Sequence, residues 1–171
     1  MTVGLKVLII GGYGVFGGRI VELLEDDPRL TLFVGGRSVV RANEFVRSRG
    51  KTGARLAPIA FDRNGDIAAQ LSAIGPDIVV DASGPFQAYG DDRYRVVQAC
   101  LVHGANYLDL ADGSDFVAGI GVHDDQAKAA GVYVLAGVSS FPVLTAAAVR
   151  RLKRLAKPAF GHPLRYVPGS G

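Results

Sequence analysis

A chain of 171 residues, 49% hydrophobic and 20% charged, fits one globular domain with a sizeable core, and it excludes both a disordered chain and a second full domain. Its single cysteine, Cys100, excludes an internal disulfide framework, and the absence of any zinc-type Cys/His spacing means that no metal is expected. The net charge of +3 has no aromatic-interleaved basic segment or nucleic-acid module behind it, and no apolar run approaches the roughly 20 residues of a membrane span, so neither nucleic acid nor membrane is an expected partner.

The start, MTVGLKVLII, has no basic n-region or cleavage site and runs directly into a strand at Leu5 to Ile10, so the expected location is cytoplasmic. GGYGVFGG follows, and then a helix on which Phe16, Ile20, Leu23 and Leu24 share a face while Arg19, Glu22 and Glu25 lie elsewhere. The next strand is Leu30 to Val34. After it, Ser38 caps and Gly50 ends a helix with Phe45 and Val46 inward and Arg41, Arg47 and Arg49 toward solvent. Further strands are expected at Leu56 to Ala60, Ile78 to Ala82, Tyr107 to Leu110 and Val132 to Ala136. Helices are expected over Arg93 to Val102, closed by Gly104, and His123 to Ala130, closed by Gly131. A last helix spans about Pro142 to Leu155; its basic run RRLKRLAK reads as a solvated face, and KPAFGHPLRYVPGSG reads as a linker or unfolded end.

Near-continuous apolar strands suit a parallel sheet covered on both faces, and strand–helix alternation implies right-handed crossovers. The expected fold is α/β: a doubly wound, mostly parallel sheet in three α/β/α layers, the Rossmann architecture, over residues 1–156, with 157–171 as a tail. Its ligand site falls at the carboxyl ends of the strands.

Gly12, Gly14 and Gly17 satisfy G-x-G-x-x-G after a predicted strand and at the start of a predicted helix. Gly12 permits the tight turn, Gly14 lets a pyrophosphate approach the backbone and Gly17 allows close helix packing; Tyr13, Val15 and Phe16 complete the cofactor loop. A glycine turn without a ligand is the competing reading. The second strand runs into LFVGGRSVVR with no acid for a ribose 2′-hydroxyl, and Arg37 and Ser38, with Arg41 a turn on, offer a cation and a hydroxyl to a 2′-phosphate. The cofactor expected is therefore NADP in preference to NAD. Asp62 in FDRNGD is placed at the adenine amino group or in an ordinary turn. Ser83, Gly84 and Pro85 form a turn bordering the nicotinamide, with Phe86 and Tyr89 as pocket walls and Asp81 as a buried carboxylate. The catalytic candidates are Asp109 and Asp112, each also explained as a turn former, and Cys100, also explained as an inert buried thiol. His103 and His123 are read as helix-end residues.

Together GGYGVFGGRIVELL, VGGRS, DIVVDASGPFQAYG, ACLVHGANYLDLADGSDFV and AGVYVLAGVSSFPVLTAAAVRRL, covering roughly residues 4 to 152, resemble the NADP-binding domain of the saccharopine dehydrogenase-like oxidoreductases. The resemblance implies that Gly12, Gly14 and Gly17 hold the pyrophosphate, Arg37 and Ser38 the 2′-phosphate, and Ser83 to Pro85 the nicotinamide side. It implies NAD(P)-dependent hydride transfer, in some members at a carbon–nitrogen bond of an amino-acid adduct. Members continue into a second domain that binds the small-molecule substrate and often dimerises. Its absence here leaves two expectations: a fragment of a longer enzyme, or a free-standing non-catalytic nucleotide sensor or partner-binding module. A homodimer through the Pro142 to Leu155 helix is a further expectation.

Overall fold

The structure, a computed structural model, describes residues 4–139 together with Arg150 and Arg151. In chain order its elements are β1 (Leu5–Ile10), α1 (Val15–Leu24), β2 (Leu30–Gly36), α2 (Val39–Ser48), β3 (Arg55–Ala60), α3 (Ile67–Ile74) and β4 (Ile78–Asp81). Then come α4 (Arg95–His103), β5 (Asn106–Asp109), α5 (Ser114–Gly119), α6 (Asp124–Ala130) and β6 (Val134–Leu135), with single 3-10 turns at Phe86–Ala88 and Ile120–His123. The strands form one parallel sheet in the order β3-β2-β1-β4-β5-β6. The order reverses between β1 and β4, and Ile10 pairs with Asp81 there, so the carboxyl ends of these two strands flank the crevice in which a doubly wound sheet takes its ligand.

β1 is apolar at successive positions because both of its faces are covered. Leu8 and Ile10 join Leu71 of α3, Val97 and Cys100 of α4 and Ala127 of α6, together with Val79 and Tyr107. Val7 and Ile9 join Val21 of α1, Leu32 and Val34, with Phe45 and Val46 of α2 packed against them. Each fully buried Val, Leu or Ile among them contributes about 1.5–3 kcal/mol. Helices of seven to ten residues are marginal alone, so these two cores rather than helix propensity hold them.

The six expected strands are present, and β6 is shorter than expected, two residues at the sheet edge. α3 and α5 were not expected from the sequence. α3 follows from chemistry visible in GDIAAQLSAIG, since Asp66 accepts the Ala69 amide as N-cap (3.0 Å) and Gly75 ends the helix. The inward face of α1 also differs. Phe16 and Leu23 are each 70% exposed, and the covered positions are Gly17, Gly18 and Val21, flanked by half-buried Ile20 and Leu24. The glycines bring the helix axis so near the sheet that the contact stripe rotates onto them. Arg49, expected in solvent, instead joins the ends of two helices through a two-pronged bond to Glu25 (2.7 Å each) and a bond to Glu22 (3.0 Å). The chain divides into two compact units, 1–139 and 140–171. The expected Pro142 to Leu155 helix lies outside the described residues apart from Arg150 and Arg151, which are helical, and the expected tail lies wholly outside them.

Candidate dinucleotide-binding site

The glycine loop is fixed by backbone contacts that leave one side open. Gly11 turns the chain at φ 76, and the Gly11 and Gly12 amides both donate to the Gly35 carbonyl (2.8 and 3.0 Å), fastening the loop to the end of β2. An added Cβ on Gly12 would lie 2.8 Å from the Ile9 oxygen and 3.1 Å from Val34 Cγ1. One on Gly17 would lie 2.8 Å from the Gly11 carbonyl carbon and 2.9 Å from Gly12 Cα, and nearer still to the Gly11 oxygen. Gly14 is different: it is exposed, and a Cβ there meets only the Gly11 oxygen, at 3.1 Å. Gly14 is also the N-cap of α1 with no side chain capping the helix, so the first-turn amides of Val15, Phe16 and Gly17 have no intrahelical acceptor. Val15 and Phe16 stand exposed beside them.

One strand over, Tyr13 joins this loop to the β2–α2 turn. Its hydroxyl accepts the Ser38 amide (3.0 Å), its ring lies where a Cβ on Gly36 would stand (2.6 Å), and the Arg41 guanidinium sits 5.1 Å from the ring centre. Ser38 caps α2 by accepting the Arg41 amide (3.3 Å), Arg37 is exposed, and the first turn of α2 holds no acid. Asp62, just beyond β3, is exposed, and its Oδ1 accepts the Asn64 amide (3.0 Å).

At the end of β4, buried Asp81 organises the next turn. Its Oδ1 accepts the Ser83 amide (3.0 Å) and hydroxyl (2.5 Å), and Ser83 Oγ lies 3.0 Å from the Tyr89 hydroxyl. Gly84 and Pro85 are exposed and joined by a cis peptide bond. Burial pushes the Asp81 carboxyl above its ordinary range, against the pull of the Ser83 bonds and the Arg63 charge. Burial, and then the Asp81 charge, push the Tyr89 hydroxyl up to about 12. Phe86, expected on a pocket wall, is buried with Ala111 and Phe116, its ring 5.1 Å from that of Phe116; Tyr89 is half-buried.

The catalytic candidates separate. Asp109 is fully buried, registered against Asp81 on the neighbouring strand, and its Oδ1 accepts the Ala111 (2.9 Å) and Gly137 (2.7 Å) amides, tying the loops after β5 and β6 together. Burial raises its carboxyl too, against the pull of those amides. Asp112 is exposed in the following turn. Cys100 is a core residue of α4 whose thiol is pushed up to about 12 by burial, which removes it as a nucleophile. His103 ends α4, and His123 is buried edge-on to Tyr94. Arg63, not among the residues expected at the site, lies with Cζ 3.2 Å from the Tyr89 ring centre. No periodicity marks it; the one signal was its place beside Asp62.

Residues 7–140 match the family model described as the saccharopine dehydrogenase NADP binding domain. The chain belongs to that family. A lipid droplet localized protein of Caenorhabditis elegans is 29% identical to this NADP-binding domain over 146 residues, 80% of the chain and 34% of that protein. Among solved structures, GenD2 from gentamicin A biosynthesis, in complex with NAD, is 22% identical with a TM-score of 0.52, the match covering 80% of this chain and 35% of that one. Biliverdin reductase from Synechocystis, in complex with biliverdin and NADP+, is 18% identical with a TM-score of 0.55, covering 90% and 44%. At these identities the structures show the shared fold. The NADP-binding domain thus spans about a third of the curated relative and of GenD2, and under half of the reductase. No helix among the described residues is long and apolar enough to cross a membrane.

The chain's own geometry fits the dinucleotide. The glycine loop is tightest at Gly12 and Gly17, where a Cβ would meet backbone at under 3.0 Å, and has more room at Gly14, with one backbone oxygen at 3.1 Å, beside uncapped amides. An anion at such a helix start gains about 0.3–1 kcal/mol from the dipole when exposed and up to about 2 kcal/mol when partly buried.

Proposed function

We propose that this NADP-binding domain holds NADP(H) for hydride transfer to or from a small substrate, within an oxidoreductase whose other residues choose that substrate. The observation that carries the reading is a pair of joined features suited to anions: the uncapped start of α1 and, fastened to it through Tyr13, the acid-free turn with Arg37, Ser38 and Arg41. In this reading the α1 amides face the pyrophosphate and Gly12, Gly14 and Gly17 let it approach. Arg37 and Ser38 face the 2′-phosphate, Asp62 borders the adenine, and Ser83 to Pro85 border the nicotinamide. The cofactor supplies the hydride chemistry when bound. In this reading the protein fixes its position: Asp81 holds Ser83 by amide and hydroxyl, and Ser83 in turn meets Tyr89, which braces the β4 turn that would border the nicotinamide.

The curated relative is described by its place on lipid droplets and GenD2 by gentamicin A biosynthesis, so neither supplies a substrate. We take an amino-acid-derived substrate as the first to try, on the strength of family membership. Calorimetric titration with NADPH and NADH is the primary test, with tighter NADPH binding expected; failure to bind either would refute the reading. Turnover with amino-acid adducts, assayed on the longest form of the protein that can be expressed, tests the hydride-transfer half separately.

A further inference from the structure

Arg63 extends from the segment between β3 and α3 to place its guanidinium over the Tyr89 ring, and it carries an unused recognition edge. Its Nε and Nη2 are both buried with no hydrogen-bond partner among the described residues. These two atoms form one side of the guanidinium fork. Elsewhere in this chain the same edge grips two oxygens at once: Arg49 binds Glu25 through Nε and Nη2 (2.7 Å each), and Arg29 binds Asp27 through Nε (2.9 Å) and Nη2 (2.6 Å). Arg63 as a whole is half-buried, and its charge is met by the Tyr89 ring and by Asp81, but this edge makes no hydrogen bond. A two-oxygen anion within reach would satisfy both donors at once.

The glycine loop, where the proposed function seats the pyrophosphate, lies nearby. A Cβ on Gly11 would lie 3.1 Å from Ser83 Cα, Ser83 Oγ is 3.0 Å from the Tyr89 hydroxyl, and Arg63 lies on the Tyr89 ring. Arg63 is thus one aromatic ring from the β1–β4 crevice, at its β4 end. Arg37 and Arg41 stand at the β2 end.

We propose that Arg63 is a further cofactor-binding residue, resting on Tyr89 in the free protein and clamping the nicotinamide-side phosphate of NADP(H) with its Nε–Nη2 edge in the complex. The proposal rests on the NADP binding of the family and adds a residue to it. Two ligands separate this phosphate from the rest of the cofactor: NADPH carries it, and adenosine 2′,5′-bisphosphate lacks it.

In calorimetry, Arg63→Gln is expected to weaken NADPH about tenfold or more, equivalent to about 1.4 kcal/mol, while adenosine 2′,5′-bisphosphate binds the variant and the wild type alike. Arg63→Lys keeps the charge and loses the fork. It is expected to weaken NADPH at least threefold with the bisphosphate again unchanged, and it carries the test if the glutamine variant does not fold. Undiminished NADPH affinity in either folded variant overturns the proposal, as does an equal loss for both ligands. Wild-type binding of NADPH in the same titration tests the cofactor reading itself, so the two failures are distinct.

Discussion

Gly14 and Gly17 belong to one motif, yet the structure assigns them different physical tasks, and alanine at each position separates the two. At Gly17 the new Cβ meets backbone atoms of Gly11 and Gly12 at 2.8 and 2.9 Å, with the Gly11 oxygen closer still, and backbone cannot rotate away as a side chain can. Overpacking costs about 1–3 kcal/mol and the contact is with rigid atoms, so about 3 kcal/mol is the fitting figure. Alanine returns about 1 kcal/mol through helix propensity. The net loss of about 2 kcal/mol lowers the melting temperature by about 4–8 °C, at about 2–4 °C per kcal/mol for a chain of this size. At Gly14 the Cβ meets one oxygen at 3.1 Å, and the unliganded melting temperature should fall by no more than about 2–4 °C, corresponding to at most about 1 kcal/mol at an N-cap. What Gly14→Ala loses is the ligand's approach. Saturating NADPH at about one hundred times its Kd stabilises the wild type by about 2.7 kcal/mol, and this variant should lose most of that gain. Thermal melts with and without NADPH read both quantities. A Gly17→Ala protein that melts with the wild type, or a Gly14→Ala protein that keeps the full NADPH-induced shift, would refute the division of labour.

Arg37→Glu should weaken NADPH by about tenfold to a hundredfold, as expected for losing a charge-assisted bond of about 1.5–3 kcal/mol, and should leave NADH within about twofold; equal loss in calorimetry would remove Arg37 from the site. Cys100, with its thiol pushed up to about 12, should resist thiolate-directed labelling until denaturant is added, and native-state labelling at the rate of a free thiol would contradict its burial. Asp81 is held above its unfolded value, so the native chain keeps a proton that the unfolded chain releases. Stability from this group is therefore present at acid pH and lost as pH rises through the raised native pKa. Denaturant melts of Asp81→Asn should show a shallower fall in stability than the wild type as pH rises above the ordinary carboxylate range; parallel profiles would count against a raised Asp81.

Much of this arrangement was legible because it is local. Strands at Leu5 and Leu30 declare themselves by apolar runs, α2 by the Ser38 cap, and the glycine loop by spacing between a strand and a helix. α3 escaped because its signals, Asp66 and Gly75, frame an apolar octet without a polar stripe. The inward face of α1 departs from its periodicity because periodicity counts large side chains, whereas Gly17 and Gly18 are the buried positions and Phe16 faces out. Arg63 and the Asp81–Ser83–Tyr89 bonds escaped because they join segments that only the sheet order brings together. Tyr13 was counted in the cofactor loop by position alone, and its bond to Ser38 emerges only in three dimensions.

The Tyr13 ring has a consequence for evolution and for engineering. It fills the space beside Gly36, the last residue of β2, so tightly that even a methyl group there would lie 2.6 Å from it. An acid at the end of that strand is how such domains commonly turn toward NAD. The ring atoms it would meet are the far end of a side chain, so an acid at 36 would displace the Tyr13 ring rather than meet a fixed wall. A switch of coenzyme by that route would therefore cost the bond from the Ser38 amide and the Arg41 contact at the same time, loosening the β2–α2 turn as it changes the charge there.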